Sequence, residues 1–159
     1  MLRTSMLHAL TLACAIGSTL IAGALFIFSV CIMRALATLP PAHGIRAMQA
    51  INVVILNSWF LGVFAGTAVL CIFSLVLLVA QNAWPPPTGP MVGSLLYLIG
   101  VVMVTRAFHI PRNDALAAAN PDTPAAAKLW EDYLRTWTWW NHVRTAAALA
   151  AALAFLTLS

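Results

Sequence analysis

Two long stretches of this chain carry no charge at all: none lies between Arg3 and Arg34, and none between Arg46 and Arg106. Apolar runs of about 20 residues or more are long enough to cross the hydrocarbon core of a bilayer. Composition agrees, because the 159 residues are 62% apolar and 8% charged, with a mean hydropathy of +0.93, whereas a soluble domain carries about 25% charged residues. The sequence predicts an integral, multi-pass membrane protein of the plasma (inner) membrane.

The chain divides into apolar spans at about 7–33, 49–79, 91–108 and 137–158, with a polar connector and helix over 109–136. The first run is too long for a signal peptide, whose cleavable apolar region is about 7–15 residues. The expected fold is all-α, a four-transmembrane-helix bundle in a single domain, with a long fourth helix extending out of the membrane. Connector 34–48 contains Pro40-Pro41, which ends a helix, and reads as an interfacial loop. Gln81 through Pro90 is a stiff proline turn, and Pro111 should break the third helix. Asp122 or Thr123 is positioned as N-cap with Pro124 at N1. From there the helical pattern runs unbroken, with Trp130, Leu134, Trp137 and Asn141 on one face. Gly17 and Gly23, and the pair Gly62 and Gly66, suit close helix approach.

The net charge of +4 forms no cluster or stripe, so nucleic acid is set aside as a partner. Cys14, Cys31 and Cys71 all fall in apolar runs and read as small core residues. With four spans, Arg34, Arg46, Arg106, Arg112, Lys128, Arg135 and Arg144 share one membrane side and Arg3 takes the other. Positive-inside bias then puts the polar connector in the cytoplasm. The same parity brings His43, Gln49, Asn52, Arg106, His109, Asn113, Asn141, His142 and Arg144 to similar depth, where a bundle can form a pocket with apolar walls and a polar mouth.

Within Trp137-Thr138-Trp139-Trp140-Asn141-His142-Val143-Arg144-Thr145, helical spacing puts Trp137, Asn141 and Arg144 on one face and His142 on the next. The plainest reading is an aromatic belt with interfacial anchors. The sharper one is chemical, because polar groups at the edge of a span are costly unless paired and so face the interior. His43, His109 and His142 keep a haem or copper site open as an alternative. The sequence has no HxxxH pair, no CxxC and no intramembrane carboxylate, so no metal ligands are assigned. Acid-base chemistry fits better, with a histidine as base and Arg or Asn stabilising an oxyanion.

His109-x-Pro111-x-Asn113, then Trp130-x-x-Tyr133 and Trp137-x-x-Trp140-Asn141-His142-x-Arg144-Thr145, resemble the anthrone oxygenase-like family of small membrane proteins, many without an assigned function. The likeness takes in Pro40-Pro41 and the segment Ala47 to Asn52. It implies oxygenation of a flat polyketide anthrone without an identified metal or flavin, and points to Asn113, Trp137, Asn141, His142 and Arg144. The family pattern has Asn and Leu where this chain has His109 and Arg112, so His109 inherits no role from it.

The combined expectation is that His142 takes a proton, Arg144 and Asn141 stabilise the oxyanion, and Trp137 with Trp140 packs the ring. Asn113, His109 and Asn52 complete the substrate-binding set. No cofactor is called for. The expected partners are a hydrophobic aromatic small molecule or lipid and the membrane, with a homo-oligomer left open. The rival reading is a noncatalytic membrane subunit or a lipid- or quinone-binding module.

Overall fold

A computed structural model describes residues 2–80 and 88–157, with side chains from Met6 onward. Most of the proline turn expected at Gln81–Pro90 therefore lies outside the described residues, as does the last residue of the expected fourth span. The described residues are helical with short breaks and no strand. The elements are α1 (Leu2–Ile27), α2 (Met33–Ala37), α3 (Pro41–Val54), α4 (Ser58–Ala80), α5 (Thr88–Tyr97), α6 (Ile110–Ala117) and α7 (Pro124–Thr157).

Three segments are long and apolar enough to cross a membrane: Met6–Ala37, Ser58–Ala80 and Thr88–Ala117. Two of these contain wider, π-helical turns, at Phe28–Ile32 between α1 and α2, and at Leu98–Met103 and Thr105–His109 between α5 and α6. Such turns occur mostly as short interruptions, often at functional sites. The long helix α7 packs against α1 and α5, and α4 against the same two helices.

Three local expectations change. The single helix expected over 49–79 is two, because Asn57 interrupts it. Its side-chain oxygen accepts the Phe60 N–H at 2.9 Å, capping α4, while its amide donates to the Val54 carbonyl at 3.0 Å. Asparagine competes well for backbone groups at a helix start. Trp59 lies beyond the break, in the first turn of α4, and is 85% exposed. The loop expected over 34–48 is mostly helix, with Pro41 opening α3 at its first turn, where the missing N–H costs nothing. Pro111 does not end the third span: the wider turn Thr105–His109 precedes it and leaves room for a proline ring that an α-turn would crowd.

At α7 the sequence and the structure agree. Thr123 Oγ1 accepts the Ala126 N–H at 3.2 Å and Pro124 follows, so the helix starts as predicted and runs 34 residues to Thr157. Its inward face carries Trp130, Tyr133, Trp137, Asn141 and Arg144, all buried. Two apolar clusters form the interior. One joins Cys14, Ile21, Cys71, Tyr97 and Phe155 within the apolar spans. The other joins Met33, Ile45, Met48, Leu116, Trp130 and Trp137 at the polar end.

Close approach is visible at Gly17 and Gly44, as it is at Gly93 and Gly100. A Cβ on Gly17 would stand 2.0 Å from Thr67 Oγ1, and one on Gly44 would stand 2.9 Å from the Trp130 ring. Gly23, Gly62 and Gly66 face open space instead, so they do not seat helices within this chain.

Candidate functional site

The site forms where the inward face of α7 meets the π-helical turns of the first and third spans. Thr105, His109 and Asn113 recur every four residues and so line up on one side of their helix. Opposite them, Tyr133, Trp137, Asn141 and Arg144 form the matching row on α7. Between these rows, α1 and the α3–α4 elbow lies a cavity of about 240 Å³. Asn52, Thr105, His109, Asn113, Trp137 and Arg144 line it with apolar walls from Phe28, Met48, Ile51, Phe60 and Phe64. That volume is slightly below the range of about 300–1,000 Å³ usual for drug-sized ligands.

Asn141, fully buried, ties the bundle together. Its amide donates to the Leu25 carbonyl at 2.6 Å and to Ser29 Oγ at 2.7 Å, both on the first span. Its side-chain oxygen accepts from Arg144 Nη2 at 2.5 Å, and Arg144 Nη1 donates to Thr105 Oγ1 at 3.1 Å. The guanidinium also sits over the Trp137 ring, 5.5 Å from its centroid. Arg144 is therefore clamped at both terminal nitrogens by neutral oxygens, while its Nε is buried without a partner. Among the described residues the salt bridges are Arg46–Asp122 and Arg135–Asp132, both well exposed. A buried cation with no carboxylate partner favours any negative charge that develops beside it.

Asn113 holds the other end. Its oxygen accepts from the Tyr133 hydroxyl at 2.8 Å and from Trp137 Nε1 at 3.1 Å. Burial pushes the Tyr133 phenol above its ordinary range, so it remains a neutral donor. Trp137 thereby becomes the centre of the site, with His109 edge-on at 5.0 Å between ring centroids.

His109 is 2% exposed and neither ring nitrogen has a hydrogen-bond partner. The carbonyls of Val104 and Trp137 lie beside the ring without completing a bond to it. Asn52 Nδ2 is likewise buried and unpartnered. Buried polar groups are nearly always paired, and here three cavity-lining residues, His109, Arg144 and Asn52, each keep an unpaired nitrogen.

Of the residues singled out in sequence, the structure brings Asn52, His109, Asn113, Trp137 and Arg144 to the cavity, with Asn141 bracing it from behind. It does not bring His142 or Trp140 there. His142 is exposed, and Trp140 stacks on Phe108 with centroids 3.5 Å apart. Arg106 and His43 are exposed too, and Gln49 caps the end of α6 through the Leu116 and Ala119 carbonyls. Among the described residues no three His, Cys, Asp or Glu side chains gather as metal ligands. Sequence reasoning missed Thr105 and Ser29. Thr105 was findable from its four-residue spacing to His109, whereas Ser29 depends on the π-turn and carried no signal.

A model of the family described as anthrone oxygenase matches residues 58–154. The match takes in Thr105, His109, Asn113, Trp137, Asn141 and Arg144, and leaves α1 to α3, with Ser29 and Asn52, outside it. No curated protein and no solved structure matches the chain.

Proposed function

Because this chain belongs to the anthrone oxygenase family, we propose that its cavity binds a flat, anthrone- or quinol-like aromatic molecule and oxygenates it without a cofactor. The observation that carries this reading is the buried Arg144, uncompensated by any carboxylate among the described residues, next to an unpartnered His109.

An anthrone has acidic benzylic hydrogens conjugated to a carbonyl. His109 takes one of them on a free ring nitrogen, and the C–H electron pair moves onto the carbonyl oxygen as an enolate. Arg144 Nε–H and the Asn52 amide donate to that oxygen, which they stabilise most once it is negative. The enolate carbon then forms a C–O bond with dioxygen, and the peroxide recovers the proton from His109. Loss of the second benzylic proton with cleavage of the O–O bond yields the quinone and one water, so one dioxygen is consumed per ring oxidised. Trp137 and Phe28 supply the flat walls, and Asn141 and Asn113 position Arg144 and Trp137.

His109 replaces His142 as the proposed base because it borders the cavity and His142 does not. The same reading sets α7 as the fourth span, its amino-terminal half outside the bilayer, and keeps the polar connector on the cytoplasmic side of the plasma (inner) membrane. Purified protein supplied with anthrone should consume oxygen and form anthraquinone one for one. A saturable complex with the quinone but no oxygen uptake would favour a quinone-binding module instead.

A further inference from the structure

None of the polar residues that line the cavity is exposed. His109 and Arg144 are buried, and Asn52, Thr105 and Asn113 are at most partly exposed. Three residues of the lining are exposed, and all are aliphatic: Leu56 at 63%, Ile110 at 48% and Leu61 at 40%. They mark the mouth. Around it the α3–α4 elbow presents Val53, Val54 and Trp59, at 74%, 70% and 85% exposed.

A mouth rimmed so heavily by aliphatic side chains is ill-suited to water, since large exposed apolar patches mark interaction or membrane surfaces. Its location identifies which: α4, whose first residue is Ser58, is a membrane-spanning candidate from its start, and Trp59 stands where interfacial tryptophans anchor spans. No charged residue occurs between Arg46 and Arg106 to draw water to the elbow.

We infer that the cavity opens sideways into the bilayer, between the α3–α4 elbow and Ile110, and admits an uncharged, membrane-dissolved ligand with its oxygen-bearing end leading. The orientation follows from the gradient along the cavity, aliphatic at the mouth and hydrogen-bonding at the floor. The inference rests on the cavity being the substrate site. It adds the route and the ligand class: molecules that partition into acyl chains rather than soluble polar ones.

The test places a spin label at the mouth. Leu56→Cys and Leu61→Cys, each in a Cys31→Ser background because Cys14 and Cys71 are buried, are labelled with a nitroxide and reconstituted in phosphatidylcholine vesicles. Collision with dissolved oxygen, which concentrates in acyl chains, is compared with collision with a water-soluble nickel chelate. Arg135→Cys on the exposed face of α7 serves as the aqueous reference. The oxygen-to-nickel ratio at both mouth positions should exceed the reference several-fold, and a ratio equal to the reference at both would overturn the lateral mouth. The readout needs no turnover, so its failure leaves the oxygenase reading in place, and absence of oxygen uptake leaves the lateral mouth in place.

Discussion

Arg144 reaches Asn141 one helical turn earlier on α7, its Nη2 donating to the Asn141 side-chain oxygen at 2.5 Å. Since the Asn141 amide is at the same time bonded to Leu25 and Ser29, the cation's position is fixed by the first span. Asn141→Ala removes a charge-assisted bond and leaves Arg144 and Leu25 short of a partner. Buried losses of this kind cost about 3 kcal/mol. Thermal unfolding in detergent should show a clear fall in midpoint, and an unchanged midpoint would mean that the network contributes little.

Tyr133 gives a pH signature. Its folded-state pKa is raised by burial, so the unfolded chain loses the phenolic proton first as pH climbs past about 10. The unfolded state then binds fewer protons than the folded one, and stability declines with rising pH. The stability present below that pH is lost as pH moves up through the window above it. Tyr133→Phe should flatten the alkaline decline measured by denaturation across pH, and an identical slope in both proteins would contradict the burial argument.

Gly44 admits Trp130 closely enough that a methyl group would stand 2.9 Å from the indole. Overpacking a filled contact costs about 1–3 kcal/mol. Gly44→Ala should lower the unfolding midpoint, whereas Gly62→Ala, which faces open space, should leave it nearly unchanged. Equal effects at the two positions would show that the α3–α7 contact is looser than described.

Much of this architecture was legible in the sequence, and the failures have a common cause. Charge-free runs located three helices long and apolar enough to cross a membrane, and the Thr123-Pro124 cap located α7, because both signals are local. The helical spacing of Trp130, Leu134, Trp137 and Asn141 pointed to its inward face, where Trp130, Trp137 and Asn141 are buried and Leu134 is half-buried. Asn57 escaped because one polar residue within a hydropathic run leaves the average untouched, although its side chain satisfies two backbone groups and divides the helix. The π-turns left no trace in composition, yet Ser29, Thr105 and His109 all lie in them. His142 and His109 were indistinguishable by depth; only packing separates an exposed imidazole from one set edge-on against Trp137.

The break at Asn57 is itself testable. An asparagine cap is worth about 1 kcal/mol over alanine, and this one also closes the elbow at the cavity mouth. Asn57→Ala should raise amide hydrogen exchange at Phe60 and Leu61 by about fivefold, the equivalent of that loss. Unaltered exchange there would mean that membrane burial of α4, rather than the cap, sets its start.

The most direct test of the central claim is anthrone-dependent oxygen uptake by purified wild-type protein, His109→Ala and His142→Ala, with folding checked by unfolding midpoint. A general base contributes about 10²–10⁴-fold to rate. Loss on that scale is expected for His109→Ala, with near wild-type uptake for His142→Ala. The reverse pattern, with uptake surviving at His109→Ala and lost at His142→Ala, would contradict it.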